Sequence, residues 1–371
     1  MSSASLASKP SAASRDAVID HLRIILTCVV VFHHVAMSYG GSAGWYWREP
    51  NASSPLLVVF NVTNQSYFMG FFFLLAGYYT PPAFDRKGPR QFLFERLLRL
   101  GVPLLFYFYV LSPFTVAVAR TSKGAPLWSG WWARFQDRSF APGPLWFAEA
   151  LLIFTLGYSL WRGLRPQSRR EFTLPGGATL GWTALLLGLV SFLVRLVVPV
   201  GQQVLWLQPG YFPCYIYLFV AGCAASRARL LEQITFRQAR PWLWVTAVTF
   251  LTFPAMYFSH PCEGAFEGGW SLNALYYAFW EPLMAWGIIL GLLWFARTYW
   301  SRATALTRWL APNAFGAFIV HPPVAVALSV FAASWSLPPL AKFALVGTAA
   351  CSGSFLTASL LRALPGARQI L

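Results

Sequence analysis

Charged residues are scarce in this sequence and acidic ones scarcest, with twelve Asp and Glu among 371 residues and 11% charged residues in all. Hydrophobic residues make up 57%. This composition leaves too little polar surface to cover a water-soluble globular protein of this length, so a lipid bilayer must surround much of the chain. Within a bilayer the backbone must satisfy its own hydrogen bonds, which restricts the fold to a helical bundle or a closed barrel.

The two-residue alternation of barrel strands is also missing. The stretches 56–79 and 275–296 are apolar on every side and longer than the roughly ten residues of a barrel strand, so they predict membrane-spanning helices. We therefore predict an all-α, polytopic transmembrane helical bundle of about ten spans. The predicted spans are 22–38, 56–79, 97–119, 144–161, 177–198, 210–226, 241–258, 271–296, 312–333 and 339–361.

Cysteine is rare, and the five cysteines lack the spacing that a disulfide framework or a zinc site requires. Their number is odd, and all but Cys262 lie in or beside apolar stretches. We expect buried small side chains at these positions and no metal site. The cysteines are Cys28, Cys214, Cys223, Cys262 and Cys351.

Basic residues are distributed unevenly between the two sides of the predicted bundle. Twenty lysines and arginines fall on the side of the amino terminus and five on the other side. Because cytoplasmic loops carry the excess of Lys and Arg, both termini are predicted to be cytoplasmic. Residues 1–20 are predicted to form a disordered cytoplasmic tail, and residues 21–371 form the transmembrane domain. The same asymmetry explains the formal charge of +16, so we expect no nucleic-acid partner.

Ionisable residues inside the predicted spans are few, and each costs about 2.5 kcal/mol or more to insert, so each is a candidate functional residue. Arg23 and His34 of the first span are eleven residues apart, and eleven helical steps return to within about 20° of the same face. The helical rise separates them by ~16 Å, about the reach of an extended pantetheine arm. We expect Arg23 at the cytoplasmic end of the span and His34 near the far third of the hydrocarbon layer. His33 points to another side and is expected to pack against a neighbouring helix.

Two arginines open the third predicted span. Arg96 and Arg99 are three residues apart and so lie on the same face of a helix. Two guanidinium groups in this position could clamp phosphate groups through bidentate hydrogen bonds. They could equally be ordinary basic residues that flank a span and extend towards the membrane interface.

Four regions of the sequence resemble the acyltransferase-3 family, membrane enzymes that acylate sugars and other envelope components. The most specific element is an arginine followed, after ten intervening residues, by a histidine in the first span, here Arg23 and His34. The resemblance implies that His34 is catalytic. It also implies that Arg23, Arg96 and Arg99 bind an acyl-coenzyme A donor. The regions are DHLRIILTCVVVFHHV (20–35), FMGFFFLLAGYYTP (68–81) with FLFERLLRLGVPLL (92–105), PGPLWFAEALLIF (142–154) and NAFGAFIVHPPV (313–324).

Together, the residues and the resemblance predict an enzyme, a membrane-embedded O-acyltransferase. It is expected to move an acyl group, acetyl in the first instance, from cytosolic acyl-coenzyme A to a hydroxyl of an envelope saccharide or glycolipid. Burial disfavours the charged imidazolium, so His34 is expected to act as a neutral general base. A transient acyl-histidine is the second route. Relatives with the pattern seen here in Trp146, Phe147 and Glu149 are often described as acting on exopolysaccharide or glucan.

Several further residues have two interpretations each. Glu149 is predicted to take part in catalysis, by orienting the imidazole or binding sugar hydroxyls, and the alternative is pairing with a neighbouring arginine. For Arg195 and Glu281, structural pairing is favoured over a role in an acceptor vestibule. His321 precedes two prolines, which predicts a kinked helix more than a catalytic group. Trp45 lies near a span end and is expected in an interfacial belt.

A secondary transporter or a flippase for lipid-linked glycans is the main alternative, because it would also combine about ten spans with a few buried charges. The lack of a convincing internal repeat opposes it, as does the alignment of Arg23 with His34 beside basic cytoplasmic residues. A non-catalytic scaffold would not need such aligned ionisable groups. The resemblance implies a bacterial cytoplasmic membrane as the location, with the lipid bilayer around the protein.

Overall fold

The computed structural model describes residues 17–165, 172–259 and 266–371, and it is built of helices. Within these residues no β-strand occurs, and the one isolated bridge joins Val204 to Leu207. The predicted all-α fold is confirmed. In chain order the helices are α1 (Ala17–Ser38), α2 (Pro55–Arg96), α3 (97–121), α4 (Leu127–Gln136), α5 (Trp146–Leu164), α6 (Gly177–Val197), α7 (Phe212–Arg227), α8 (Phe236–Ser259), α9 (Leu272–Tyr299), α10 (Ala305–Phe331), α11 (Pro339–Ala363) and α12 (Ala367–Ile370).

Eight helical stretches of the described residues are long and apolar enough to cross a membrane. One of them, Pro55–Thr121, contains the second and third predicted spans, because α2 runs into α3 without a break. This stretch is kinked at Gly88, whose φ of 74° and ψ of 166° are not helical. The predicted span 210–226 corresponds to α7, which has only 16 residues and is shorter than the ~20 that cross a bilayer. The polytopic bundle is therefore confirmed, with fewer full-length separate spans than the ten predicted.

The first helix begins earlier than predicted. α1 starts at Ala17, within the predicted tail, and its apolar residues Val18 and Ile19 are already buried. Residues 1–16 of that tail lie outside the described residues, as does Cys262. From this start α1 packs against α2, α10 and α11, so several helices surround it.

α1 and α10 run side by side in the same direction. Near their amino-terminal ends, His21 Nε2 and Thr307 Oγ1 lie 2.8 Å apart. A second hydrogen bond joins His34 to His321, farther along both helices. We term the end of the bundle at the carboxyl termini of α1 and α10 the outer face, because the distribution of basic residues predicts that it is extracytoplasmic.

α2 and α7 pack with their backbones in contact through two glycines. A Cβ atom on Gly77 would lie 2.1 Å from the Phe219 carbonyl oxygen, and one on Gly222 would lie 2.2 Å from the Leu74 carbonyl oxygen. Small residues allow this close approach in membrane helices, whose association depends on van der Waals packing. The contact holds the short helix α7 within the bundle.

A buried ion pair connects α6 with α9. Arg195 Nη2 donates to the Glu281 carboxylate, and Arg195 Nε donates to the Gly210 carbonyl at 3.0 Å. The guanidinium also lies over the rings of Tyr211 and Tyr277, at 5.3 and 5.1 Å from their centroids. The predicted structural pairing of Arg195 with Glu281 is confirmed.

Candidate active site

His321 is positioned by the proline that follows it in α10. An α-helical N–H donates to the carbonyl four residues earlier, and proline has no N–H. Pro322 therefore leaves the Phe318 carbonyl without its helical partner. His321 Nδ1 lies 2.7 Å from this oxygen and can donate to it instead. The helix continues through the prolines, so the motif that predicted a kink supplies an anchor for the histidine.

His34 and His321 form a hydrogen-bonded dyad, with 3.0 Å between His34 Nδ1 and His321 Nε2. A carbonyl oxygen only accepts, so the contact with Phe318 assigns a proton to His321 Nδ1. In a neutral His321 ring Nε2 is then the acceptor, and His34 Nδ1 is the donor. The lone pair of a neutral His34 ring therefore lies on Nε2, where a general base needs it.

The three histidines of this region differ in exposure. His34 is partly exposed, whereas His33 and His321 are buried. His33 faces α2, and its ring centroid lies 4.8 Å from that of Phe68, so its predicted packing against a neighbouring helix is confirmed. Within the described part of the chain, no hydrogen-bond partner is seen for His34 Nε2. This nitrogen is the free proton acceptor of the dyad.

The loop between α1 and α2, residues 39–54, folds back over the dyad at the outer face, and we term it the outer loop. The Trp45 ring is stacked on that of His34, with 4.1 Å between centroids and 19° between planes. It is also parallel to the His321 ring, at 6.2 Å and 9°. We expected Trp45 in an interfacial belt, and that location stays a prediction. The structure shows that its ring packs on the dyad.

The outer loop is fastened to two other helices by side chains. The Tyr46 and Tyr107 hydroxyls lie 3.0 Å apart, which links the loop to α3. Burial raises the pKa of Tyr46, so its phenol remains protonated and able to donate. Glu49 accepts from Lys342 of α11, whose side chain is almost fully buried. These contacts fix the loop beside the dyad.

Arg23 lies on the same helix as His34, and α1 is unbroken between them. The spacing of ~16 Å along the axis is therefore retained. The Arg23 side chain is 40% exposed, and its Nη1 lies 3.7 Å from the Asp20 carboxylate. It has the exposure that a phosphate-binding group needs.

Arg96 and Arg99 lie where α2 passes into α3. The Arg96 guanidinium is 5.2 Å from the centroid of the Phe92 ring, and Arg99 is exposed in a π-helical turn, Leu97–Gly101. Such turns occur frequently at functional sites. The short helix α12 packs against this turn. The joint use of these arginines with Arg23 in binding a donor stays a prediction.

Glu149 lies half-buried in the first turn of α5. Phe147, two residues earlier, packs against Phe318 with 6.1 Å between centroids, and two helical steps turn by about 200°, so Glu149 points away from that contact. Among the described residues it has neither the predicted arginine partner nor a hydrogen bond to His34, whose ring is oriented by His321. Binding of sugar hydroxyls by Glu149 stays a prediction.

The cysteines form no metal site in the described part of the chain. Cys28 of α1 and Cys351 of α11 are free thiols whose sulfur atoms lie 3.3 Å apart. Cys214 and Cys223 are also free. In the described ranges, no three His, Cys, Asp or Glu side chains are grouped so as to hold a metal ion.

Comparison with known proteins identifies the family. No curated protein and no solved structure matches the chain. The family model described as an acyltransferase domain matches residues 16–359, nearly the whole chain. This match favours acyl transfer over the transporter and scaffold alternatives. The chain therefore belongs to the acyltransferase-3 family, and it is a multi-pass membrane acyltransferase.

Proposed function

We propose that this protein is an O-acyltransferase of the bacterial cytoplasmic membrane. It moves an acyl group, acetyl in the first instance, from cytosolic acyl-coenzyme A to a hydroxyl of an envelope or exported saccharide. The observation that carries this proposal is the dyad, which leaves His34 Nε2 as a proton acceptor inside the bundle. Family membership supplies the reaction class, and the dyad supplies the base.

The transfer requires one proton to pass from the acceptor hydroxyl to the leaving thiol. His34 Nε2 accepts that proton as the hydroxyl oxygen attacks the thioester carbonyl. The C–S bond breaks when the tetrahedral intermediate collapses, and the proton passes from His34 Nε2 to the coenzyme A thiolate. The products are an ester and a free thiol, and His34 is neutral again.

His321 acts on His34 and does not touch the substrate. Its Nε2 accepts from His34 Nδ1 and so fixes both the tautomer and the orientation of the catalytic ring. When His34 gains a proton, its Nδ1–H becomes a charged donor and the bond to His321 strengthens. The Phe318 carbonyl holds the proton on His321 Nδ1, which disfavours the opposite tautomer. His321 is therefore a positioning residue.

The donor's phosphates are assigned to Arg23, Arg96 and Arg99. Guanidinium groups bind phosphate oxygens in bidentate pairs, and both Arg23 and Arg99 expose part of their side chains. A donor held at Arg23 can extend its pantetheine arm along α1, over the ~16 Å that separate this residue from His34. This arrangement delivers a cytosolic thioester to the base without moving the nucleotide through the membrane.

The saccharide acceptor is assigned to the start of α5. Trp146 stacks on Tyr215 of α7, with 5.7 Å between centroids and 22° between planes. The half-buried Glu149 follows one turn later, and a carboxylate accepts hydrogen bonds from sugar hydroxyls. Phe147 packs against Phe318, so α5 begins beside the anchor of the dyad, with Glu149 on the other side of the helix.

Purified protein in lipid nanodiscs, supplied with radiolabelled acetyl-coenzyme A and glucan oligosaccharides, tests the proposal. We expect label to enter the oligosaccharides together with the release of free thiol. A monodisperse protein that neither binds acetyl-coenzyme A nor releases thiol from it would overturn the proposal. Mass spectrometry of acid-quenched protein decides between the two routes, since only the covalent route leaves an acetyl group on the peptide that contains His34.

A further inference from the structure

The outer loop covers one face of the dyad with a single flat side chain. Trp45 lies parallel to both imidazole rings, 4.1 Å from His34 and 6.2 Å from His321. The lone pair of an imidazole nitrogen lies in the plane of the ring, whereas a stacked ring covers a face. Trp45 therefore leaves the edge of His34 at Nε2 open to an acceptor while it fills the space above the dyad.

Trp45 is held in this position by its neighbours in the chain. Besides the Tyr46 hydroxyl contact, Trp47 Nε1 donates to Ser122 Oγ at 3.2 Å, at the end of α3. Glu49 pairs with the buried Lys342 of α11. Surface loops are ordinarily more mobile than the helices they connect. Three anchors that directly follow Trp45 in the chain thus make a connecting loop into a fixed cover.

An acyltransferase has to keep water from the carbonyl that its acceptor attacks. Water is a competing nucleophile, and the base that activates a sugar hydroxyl can activate water as well. Closed active sites suppress such hydrolysis by excluding solvent. At the outer face, an uncovered dyad would be open to the aqueous phase from which the saccharide arrives.

We propose that Trp45, fixed by the outer loop, is a water shield that sets the ratio of acyl transfer to thioester hydrolysis. This inference rests on the proposed function. With the shield in place, the acceptor oxygen bonds to the acyl carbon, the C–S bond breaks, and an ester and coenzyme A form. Without it, the oxygen of water bonds to the acyl carbon and one water proton passes through His34 Nε2 to the thiolate. The products are then a carboxylic acid and coenzyme A.

Release of thiol from acetyl-coenzyme A without any acceptor, measured in nanodiscs, isolates the hydrolysis. We expect Trp45→Ala to raise this rate about fivefold or more, because water gains access to the thioester. Trp45→Phe keeps a flat ring over the dyad and should stay within about twofold of the wild type. Trp128→Ala is the control, since Trp128 in α4 is 70% exposed. Adding His34→Ala to Trp45→Ala should abolish the increase in hydrolysis, because both hydrolysis and acyl transfer use His34 as the base.

The outcomes separate the shield from the proposed function. If Trp45→Ala hydrolyses acetyl-coenzyme A at the wild-type rate while acetyl transfer persists, the shield is wrong and the proposed function stands. If the wild type neither binds nor cleaves acetyl-coenzyme A, both are wrong. Should Trp45→Ala fail to fold, Glu49→Gln decides, because it breaks the pair with Lys342 and keeps the indole. A rise in hydrolysis in Glu49→Gln supports the shield, and an unchanged rate overturns it.

Discussion

His34 and His321 are joined by a hydrogen bond of 3.0 Å although they are 287 positions apart in the chain. The bond has a direction, because the other nitrogen of His321 contacts a carbonyl oxygen of its own helix. The bond therefore connects α1 with α10 and also decides which nitrogen of His34 carries a lone pair. The backbone of one helix thus sets the tautomer of a side chain on another.

Replacing Pro322 tests the anchor of the dyad. Pro322→Ala supplies an N–H that competes with His321 for the Phe318 carbonyl, so we expect kcat to fall about tenfold with an unchanged donor KM. Pro323→Ala is the matched control, because its new N–H is directed to the Ile319 carbonyl. Steady-state thiol release measures both variants. Equal losses in the two would show that the prolines act only on the shape of the helix.

Replacing His321 tests its positioning role. His321→Ala removes the acceptor for His34 Nδ1, and we expect kcat to fall about 10²-fold while the donor KM stays the same. The Gln side chain of His321→Gln has an amide oxygen that can accept the same hydrogen bond. Its kcat should be about tenfold higher than that of His321→Ala. His33→Gln, at a buried histidine outside the dyad, is the control. A kcat of His321→Ala equal to that of the wild type would remove His321 from the mechanism.

The sequence predicts those features that follow from helical geometry or from the cost of burying a charge. The distance along the helix axis between Arg23 and His34 is as predicted, because α1 is unbroken between them. The pairing of Arg195 with Glu281 was also foreseeable, since two opposite charges at similar depths in a bilayer stabilise each other. In these two cases, helical geometry and the cost of burying a charge leave few other arrangements of the side chains.

The dyad and the Trp45 ring that covers it depend on packing between segments that are distant in the chain. The hydrophobic periodicity of the sequence does not predict such contacts. His321 carries one local indication, a proline that frees the Phe318 carbonyl within reach of the ring. The partner of its other nitrogen is fixed only when α10 packs against α1. The position of Trp45 likewise depends on anchors such as Lys342, which follows the loop by nearly three hundred residues.

Removing the arginines tests the site for the donor. We expect Arg96→Ala and Arg99→Ala each to raise the KM for acetyl-coenzyme A about tenfold, with little change in kcat, because charge-assisted bonds to the phosphates are lost. Arg308→Ala is the control, since Arg308 is exposed and donates to the Ala303 carbonyl. Initial rates across donor concentrations give both constants. A change confined to the KM of the acceptor would contradict the assignment.

Breaking the buried ion pair tests stability apart from catalysis. Glu281→Gln leaves the Arg195 charge buried without its counterion, so we expect a loss of about 3–5 kcal/mol and a lower thermal midpoint. Combining Arg195→Met with Glu281→Met should recover most of that loss, because no charge is then buried. Tryptophan fluorescence during heating in detergent measures the midpoints. A double variant no more stable than Glu281→Gln would contradict this prediction.

The kcat of thiol release by His34→Ala, compared with that of His21→Ala, tests the role of His34 most directly. Both substitutions remove a histidine of α1 that is hydrogen-bonded to α10, so they disturb the same pair of helices. We predict a loss of about 10²-fold or more for His34→Ala and a change within about threefold for His21→Ala. A rate near that of the wild type in a well-expressed, monodisperse His34→Ala protein would contradict the assignment of His34 as the base.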